Sequence, residues 1–430
     1  MNANVTNKEG FQGSRFAAVA GYATLLAYCS LYPFSGWRWP DQPLFSFLLA
    51  PLSGQVSRSD LLTNVLAYIP FGFVLQGYIS RQKRYLASVF AATITGIFVS
   101  FLMESLQMFL PERTASNVDL ASNAAGTFFG AAVAFLAGSN FPLMCRFRQL
   151  RATWFQPDRT VAPALLAVAL WAGSQLSPFV PSIDISSIRA GLSPLWHALS
   201  DANAHVSVSR LLATAFEITG LALLMGSFAK LQKKVLFGFF VFSAAVFCSK
   251  PLIVSRQLSL ESLMGLLAAV LIASVIPPRR RVRALLSAIF ITAAFAIREV
   301  RPAGDGLHAF NWIPFAGQMD DTLNGFTSIL ETCWPGVALA CSVRVVFQSS
   351  RLMEKVLGVL WGLFVFWLER LQQYIPGRFG DFTTVLLAGF GFLAGCLLSG
   401  PQMSSSTGQL DRTRAEPGAA ASAFDITPLP

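Results

Sequence analysis

Apolar runs long enough to cross a lipid bilayer recur twelve times along this chain, at residues 16–34, 62–80, 85–110, 119–138, 161–179, 210–228, 234–250, 258–276, 283–298, 324–347, 355–374 and 382–399. A helix needs about 20 mainly apolar residues to span about 30 Å of hydrocarbon. Inside lipid its backbone N–H and C=O groups must pair within the segment. A transmembrane barrel would instead show alternating segments of about 10 residues, whereas these runs are continuously apolar. The predicted fold class is therefore all-α, a polytopic integral membrane protein of about twelve transmembrane helices. Composition agrees: 54% of the 430 residues are hydrophobic, 13% are charged, and the mean hydropathy is +0.55.

The net charge of +10 is a topology signal, because its distribution follows the loops. Assigning alternate loops to one side gathers 21 of the 32 Lys and Arg there, among them Lys8, Arg15, Arg81, Lys83, Arg84, Arg146, Arg148, Arg151, Arg279, Arg280, Arg281, Arg412 and Arg414. By the positive-inside rule that side is cytoplasmic, which places both termini inside. The expected location is the inner (cytoplasmic) membrane, with membrane lipids as partners. No base-stacking motif accompanies the basic runs, so nucleic acid is not an expected partner. The run after Arg15 lacks a small-residue cleavage site and reads as a retained first helix.

Residues 104–113 repeat at 369–378. Glu104, Leu106, Gln107, Pro111 and Arg113 have counterparts at identical spacing in Glu369, Leu371, Gln372, Pro376 and Arg378. A decayed middle copy places Lys250 six residues before Arg256, followed by Ser259, Glu261 and Gly265, with Phe247 where the acid would stand. Each copy closes the third helix of a four-helix set. The expected organisation is a cytoplasmic segment 1–15, then three parallel four-helix repeats at 16–145, 146–278 and 279–400, then a disordered cytoplasmic tail 401–430 rich in Ser and Ala. After Arg378 the third copy reads as three residues short before Asp381, with Val385 where an Asn is expected.

Ionisable groups within such helices are functional candidates by default. Glu104 and Gln107 share a helix face near the outer end, with Arg113 past Pro111 the expected ion-pair partner of Glu104. The next helix carries Asp119, Asn123, Gly126 and Gly130 on one stripe, and Asp60 and Asn64 open the second helix. The candidate ligand-binding cluster is Asp60, Asn64, Glu104, Gln107, Arg113, Asp119 and Asn123; Glu369, Gln372, Arg378 and Asp381 form a secondary one. Each has a plain structural role open to it: a capping box at Ser116 to Asp119, an ion pair, or helix-bridging amides. Glu217 and Glu331 lie in mid-span.

Aromatic loops at Pro33 to Trp39, Pro178-Phe179 and Asn311 to Phe315 fit interfacial anchoring. His197, His205 and His308 read as ordinary loop residues. Cys29, Cys145, Cys248, Cys333, Cys341 and Cys396 lack metal or disulfide-framework spacing. No catalytic, cofactor or metal signature is legible.

The set Asp60, Asn64, Pro70, Gly72, Glu104, Gln107, Pro111, Arg113, Asp119, Asn123, Gly126 and Gly130 resembles the VanZ-like membrane family, over about a third of the chain. The resemblance implies a cell-envelope role, and longer members look like proteins associated with exopolysaccharide functions. It implies no defined activity. The expected function is an envelope accessory protein that binds an envelope lipid, glycan or lipid-linked precursor at its outward face. A transporter, or a membrane enzyme acting on lipid-linked substrates, are the alternatives.

Overall fold

The computed structural model describes residues 3–51, 58–80, 86–201, 205–317, 322–348 and 350–400, and of residues 3–15, 17, 58–59 and 322–324 the backbone alone. The predicted tail 401–430, with Arg412 and Arg414, and the predicted basic residues Arg81, Lys83 and Arg84 lie outside the described residues.

Fourteen α-helices are present among the described residues: α1 (Ala3–Leu31), α2 (Arg58–Ile79), α3 (Leu86–Gln107), α4 (Asn117–Gly138), α5 (Pro142–Trp154), α6 (Val161–Leu176), α7 (Ile185–Ser200), α8 (Val208–Phe228), α9 (Gln232–Ser249), α10 (Leu260–Val275), α11 (Arg280–Glu299), α12 (Thr322–Val346), α13 (Arg351–Gln372) and α14 (Phe382–Ser399). No strand occurs among those residues. Each of the twelve apolar runs is mostly helical over its described residues. α1 runs unbroken from Ala3 through the polar start of the chain.

By length and composition, α2, α3, α4, α8, α9, α12 and α14 each contain a stretch able to cross a membrane, and α1, α6 and α10 contain shorter apolar stretches. α11 and α13 carry ionisable residues near both ends, including Arg283, Arg298 and Glu299 on the first and Glu354 and Glu369 on the second. Large apolar side chains face outward in stripes: Leu86, Phe90, Ile94 and Phe98 on α3, and Leu267, Leu271 and Val275 on α10. Spacings of four place each stripe on one helix face. Patches of this extent on a chain of this hydropathy need lipid as their solvent, so the protein is membrane-embedded and multi-pass.

The two helices that apolar-run counting did not predict, α5 and α7, are amphipathic and lie on the surface. α5 buries no residue and exposes Leu143, Phe147 and Leu150 beside Arg146 and Arg148. α7 buries only Gly191, which packs on Pro251, and exposes Ile185, Trp196 and Leu199.

Packing repeats along the chain. α2 packs closely on α4, α8 on α10, and α12 on α14, while α8 and α12 also pack on α11. The α2–α4 contact runs parallel: Gly126 lies against the Val65 carbonyl and Gly130 against that of Ile69. The α12–α14 contact is equivalent, with Gly391 on the Cys333 carbonyl and Gly395 on that of Val337. A side chain at these glycines would overlap the facing backbone, the small-residue geometry of close membrane helix pairs. One large core joins α6 to α14 through Trp171, Phe247, Phe295, Trp334 and Trp361, whereas α1 to α4 have their own around Leu26, Tyr68, Phe71 and Val89. The central helices are α8 and α12, each 72% buried over its apolar stretch.

Candidate functional site

The first predicted cluster assembles where α1 and α3 end and α2 and α4 begin, but its members divide into structural and open groups. Glu104 is buried, and its Oε2 accepts the Ser116 N–H at 2.8 Å. Ser116 is the N-cap of α4, its Oγ accepting the N–H groups of Val118 at 3.1 Å and Asp119 at 3.4 Å. Arg113 donates through Nε to the Tyr32 carbonyl at 2.8 Å and through Nη2 to that of Cys29 at 3.2 Å. Gln107 Nε2 donates to the Ser30 carbonyl at 3.0 Å.

The expected Glu104–Arg113 ion pair is therefore not formed. Helix termini leave backbone N–H and C=O groups unpaired. The acid satisfies donors where α4 begins, while the guanidinium and amide satisfy acceptors where α1 ends.

The remaining members are less committed. Asn64 Nδ2 donates to Asp119 Oδ1 at 2.9 Å, tying α2 to α4, and both residues are half-buried. Asp60 is exposed, with its charge near that of Asp119. Asn123 donates to Ser100 Oγ at 2.9 Å, and among the described residues its Oδ1 is buried without a hydrogen-bond partner.

The third group repeats the acid, cap and arginine bonds but not that of the glutamine. Glu369 Oε2 accepts the Asp381 N–H at 2.8 Å, and Asp381 Oδ1 accepts the Thr383 N–H at 2.8 Å. Arg378 donates through Nε to the Arg301 carbonyl at 2.8 Å and through Nη2 to that of Arg298. In the middle group Arg256 Nε donates to the Ser177 carbonyl, and Ser259 Oγ caps α10 by accepting the Ser262 N–H at 3.3 Å.

Each of the three arginines thus holds the carbonyl of the residue before a proline, in Tyr32-Pro33, Ser177-Pro178 and Arg301-Pro302. Each stands three residues before a capping side chain, Ser116, Ser259 or Asp381. This register corrects the predicted gap after Arg378. No residues are missing; Asp381 occupies the place of Ser116, Thr384 that of Asp119, and Ala388 that of Asn123. Matching Asp to Asp by identity misplaced the register, because the arginine-to-cap distance is what the geometry constrains.

The third group also holds what the residue patterns did not reveal, a polar cavity of about 280 Å³ lined by Arg298, Glu299, Arg301, Ser328, Glu331, Thr332, Arg378 and Thr384. Glu299 sits between two cations, 3.2 Å from Arg298 and 3.7 Å from Arg378. Gln372 Nε2 bridges Glu299 Oε2 at 3.1 Å and Glu369 Oε1 at 3.0 Å. Arg301 lies past the end of α11; burial, then the neighbouring Arg210 and Arg378, lower its pKa from the usual arginine value. Arg298, Glu299, Arg301, Ser328, Thr332 and Thr384 were not sequence candidates. Extending the repeat back to the Arg301-Pro302 junction would have found the first three.

Elsewhere, Glu217 accepts from Trp171 Nε1 within the bundle, and His308 stacks on Phe379 with ring centroids 3.7 Å apart. The ends of the first and third groups meet, since the Tyr28 hydroxyl donates to the Pro314 carbonyl at 3.0 Å and its ring packs on Phe315. Arg256 reaches Thr327 Oγ1 of α12 at 3.2 Å. The three groups therefore present their loops at one end of the helix set.

Residues 11–138 match the VanZ/LLP1 family. No curated protein and no solved structure matches the chain. The matched stretch takes in α1 from Phe11 and the whole of α2 to α4, and it contains every bond of the first group described above. Residues 11–138 of this multi-pass membrane protein form a VanZ-like domain.

Proposed function

We propose that this chain is an accessory protein of the cell envelope that binds an envelope lipid, glycan or lipid-linked precursor at its outward face. In this reading it crosses the inner membrane twelve times as three parallel four-helix repeats, with both termini in the cytoplasm. The repeat reading is supported by the three matching arginine clips and by the second-on-fourth helix pairing of each group. The sidedness is supported by the basic loops at the opposite end.

One observation carries the functional reading. At the end where α2 and α4 begin, the half-buried Asn64–Asp119 pair is not used to close a helix terminus. Polar groups in such a position are costly in lipid and mark ligand or ion sites. Glu104 and Arg113 support this site without being its contact groups.

The test is native mass spectrometry of the full chain purified from its host membrane. The wild type is expected to carry a lipid or lipid-linked saccharide adduct. The Asn64→Ala, Asp119→Ala double variant, still folded, is expected to bind it at least about tenfold more weakly, about 1.4 kcal/mol. Equal adduct occupancy in the two proteins would overturn the reading.

A further inference from the structure

The cavity of the third group has a charge arrangement that the clips do not explain. Arg378 is committed to two backbone carbonyls and to Glu299, and Arg298 to Glu299 and to the Glu331 carbonyl, 3.1 Å away. Arg301 lines the same cavity, yet among the described residues its guanidinium has no hydrogen-bond or ion-pair partner. Around it stand Arg210, Arg298 and Arg378, whose like charges oppose its own. Glu299 lies within the field of Arg301, and Glu217 and Glu369 stand near Arg298 and Arg378, but each of these acids is shared with other cations or bonds. Glu299 is held between Arg298 and Arg378, and Glu331 lies within the field of Arg298, Arg256 and Lys250. Arg301 is half-buried among like charges, and an anion in the cavity would relieve their repulsion.

We propose that the cavity binds a phosphoryl group, with Arg301 as its principal contact. The planar guanidinium fork matches two oxygens of a phosphate. The hydroxyls of Ser328, Thr332 and Thr384 line the same space and supply further donors. That donor set exceeds what the two oxygens of a carboxylate take up and suits the additional oxygens of a phosphate. The volume of about 280 Å³ lies just under the roughly 300 to 1,000 Å³ typical of drug-sized ligands and suits a headgroup or a free ion. Only the third group builds this site: its Arg301 stands where the first group has Tyr32 and the middle group Ser177. The inference rests on reading this end as the ligand-binding end, and it assigns a second site there, apart from Asn64 and Asp119.

The test uses the full chain in dodecyl maltoside. Calorimetric titration with inorganic phosphate and with acetate is paired with native mass spectrometry after addition of phosphatidic acid or of phosphatidylcholine with the same acyl chains. Phosphate or phosphatidic acid is expected to bind at least about tenfold more tightly than acetate or phosphatidylcholine. The Arg301→Gln variant is expected to lose at least about tenfold in that affinity, whereas Arg38→Gln, an exposed surface cation paired with Asp41, retains it.

Phosphate binding alone, or together with phosphatidic acid, assigns the site to the free group. Binding of phosphatidic acid alone assigns it to a lipid headgroup. Either outcome supports the proposal. Should Arg301→Gln fail to fold, Ser328→Trp keeps every arginine, fills the cavity and is expected to abolish binding. No binding by either phosphoryl probe, equal affinity for acetate, or undiminished affinity in a folded Arg301→Gln or Ser328→Trp protein would overturn the proposal. The envelope-ligand reading fails separately, when the Asn64→Ala, Asp119→Ala protein keeps its co-purified adduct.

Discussion

At the scale of single residues, the ionisable side chains of this protein are paired more often with backbone than with each other. Glu104 takes an N–H and Arg113 takes two carbonyls, although ten residues or fewer separate them in sequence. Desolvating a bare ion pair in a low-dielectric interior costs as much as or more than the pair returns, whereas unpaired helix-end groups are already there to be satisfied. No residue type marks a backbone carbonyl in advance, which is why the sequence pointed to the acid and the base but not to their partners.

Asp158 shows the same economy outside the membrane spans. Burial alone would raise its pKa. The Thr160 N–H at 2.8 Å and the Arg280 guanidinium outweigh burial and hold the carboxyl below its usual value. Since the folded value is the lower one, the stabilisation is complete above the ordinary carboxylate pKa of about 4 and is lost as pH falls through the folded value. Asp158→Asn is expected to lower stability at neutral pH by no more than about 1 kcal/mol, because Arg280 is solvent-exposed and screened. That deficit should shrink as the pH drops below about 4. Unfolding midpoints in detergent across this range check it, and a deficit independent of pH would refute the assignment.

At the scale of elements, the twelve apolar runs were legible because a lipid-facing helix must be long, apolar and internally bonded. α5 and α7 were not. Their apolar residues are interrupted by Arg146 and Arg148 in one and by Arg189 and His197 in the other, so no continuous run exists to find. The unit that repeats is a clip made of a third-helix loop arginine on a first-helix terminus. If Arg256 serves as Arg113 and Arg378 do, Arg256→Met should destabilise the protein about as much as Arg113→Met or Arg378→Met. Each loses hydrogen bonds to a charged group, worth about 1.5 to 3 kcal/mol apiece. Thermal unfolding of the three variants makes the comparison, and a middle variant as stable as wild type would remove the middle group from the repeat.

At the scale of the whole molecule, the number of crossings decides where the ends lie. Seven crossings would leave the termini on opposite sides, and twelve leave them together. Alkaline phosphatase fused in the loops after α1, α3, α6, α9, α11 and α13 is expected to be active, and after α2, α4, α8, α10, α12 and α14 inactive. Inactivity after both α10 and α11 would show that α11 does not cross. The first four helices keep a core of their own, while α6 to α14 share one. This division fits the VanZ/LLP1 match ending at residue 138, where the separate core ends.

The sequence by itself determined that the chain is helical and lives in a membrane, where its apolar runs fall, and that Glu104 to Arg113 recurs at Glu369 to Arg378. These are local properties: hydropathy over a turn or more of helix and residue identity at fixed spacing. Only the tertiary structure decided that Arg113 serves Tyr32 and Cys29 rather than Glu104, that Asp381 is a cap in the place of Ser116, and that the polar cavity belongs to the third group. The arginine bonds bring helix ends together across more than eighty residues of chain, and the cap is recognised only by the acid it faces. Backbone groups and cavities carry no letter of their own in the sequence, so their partners appear only when the helices are packed.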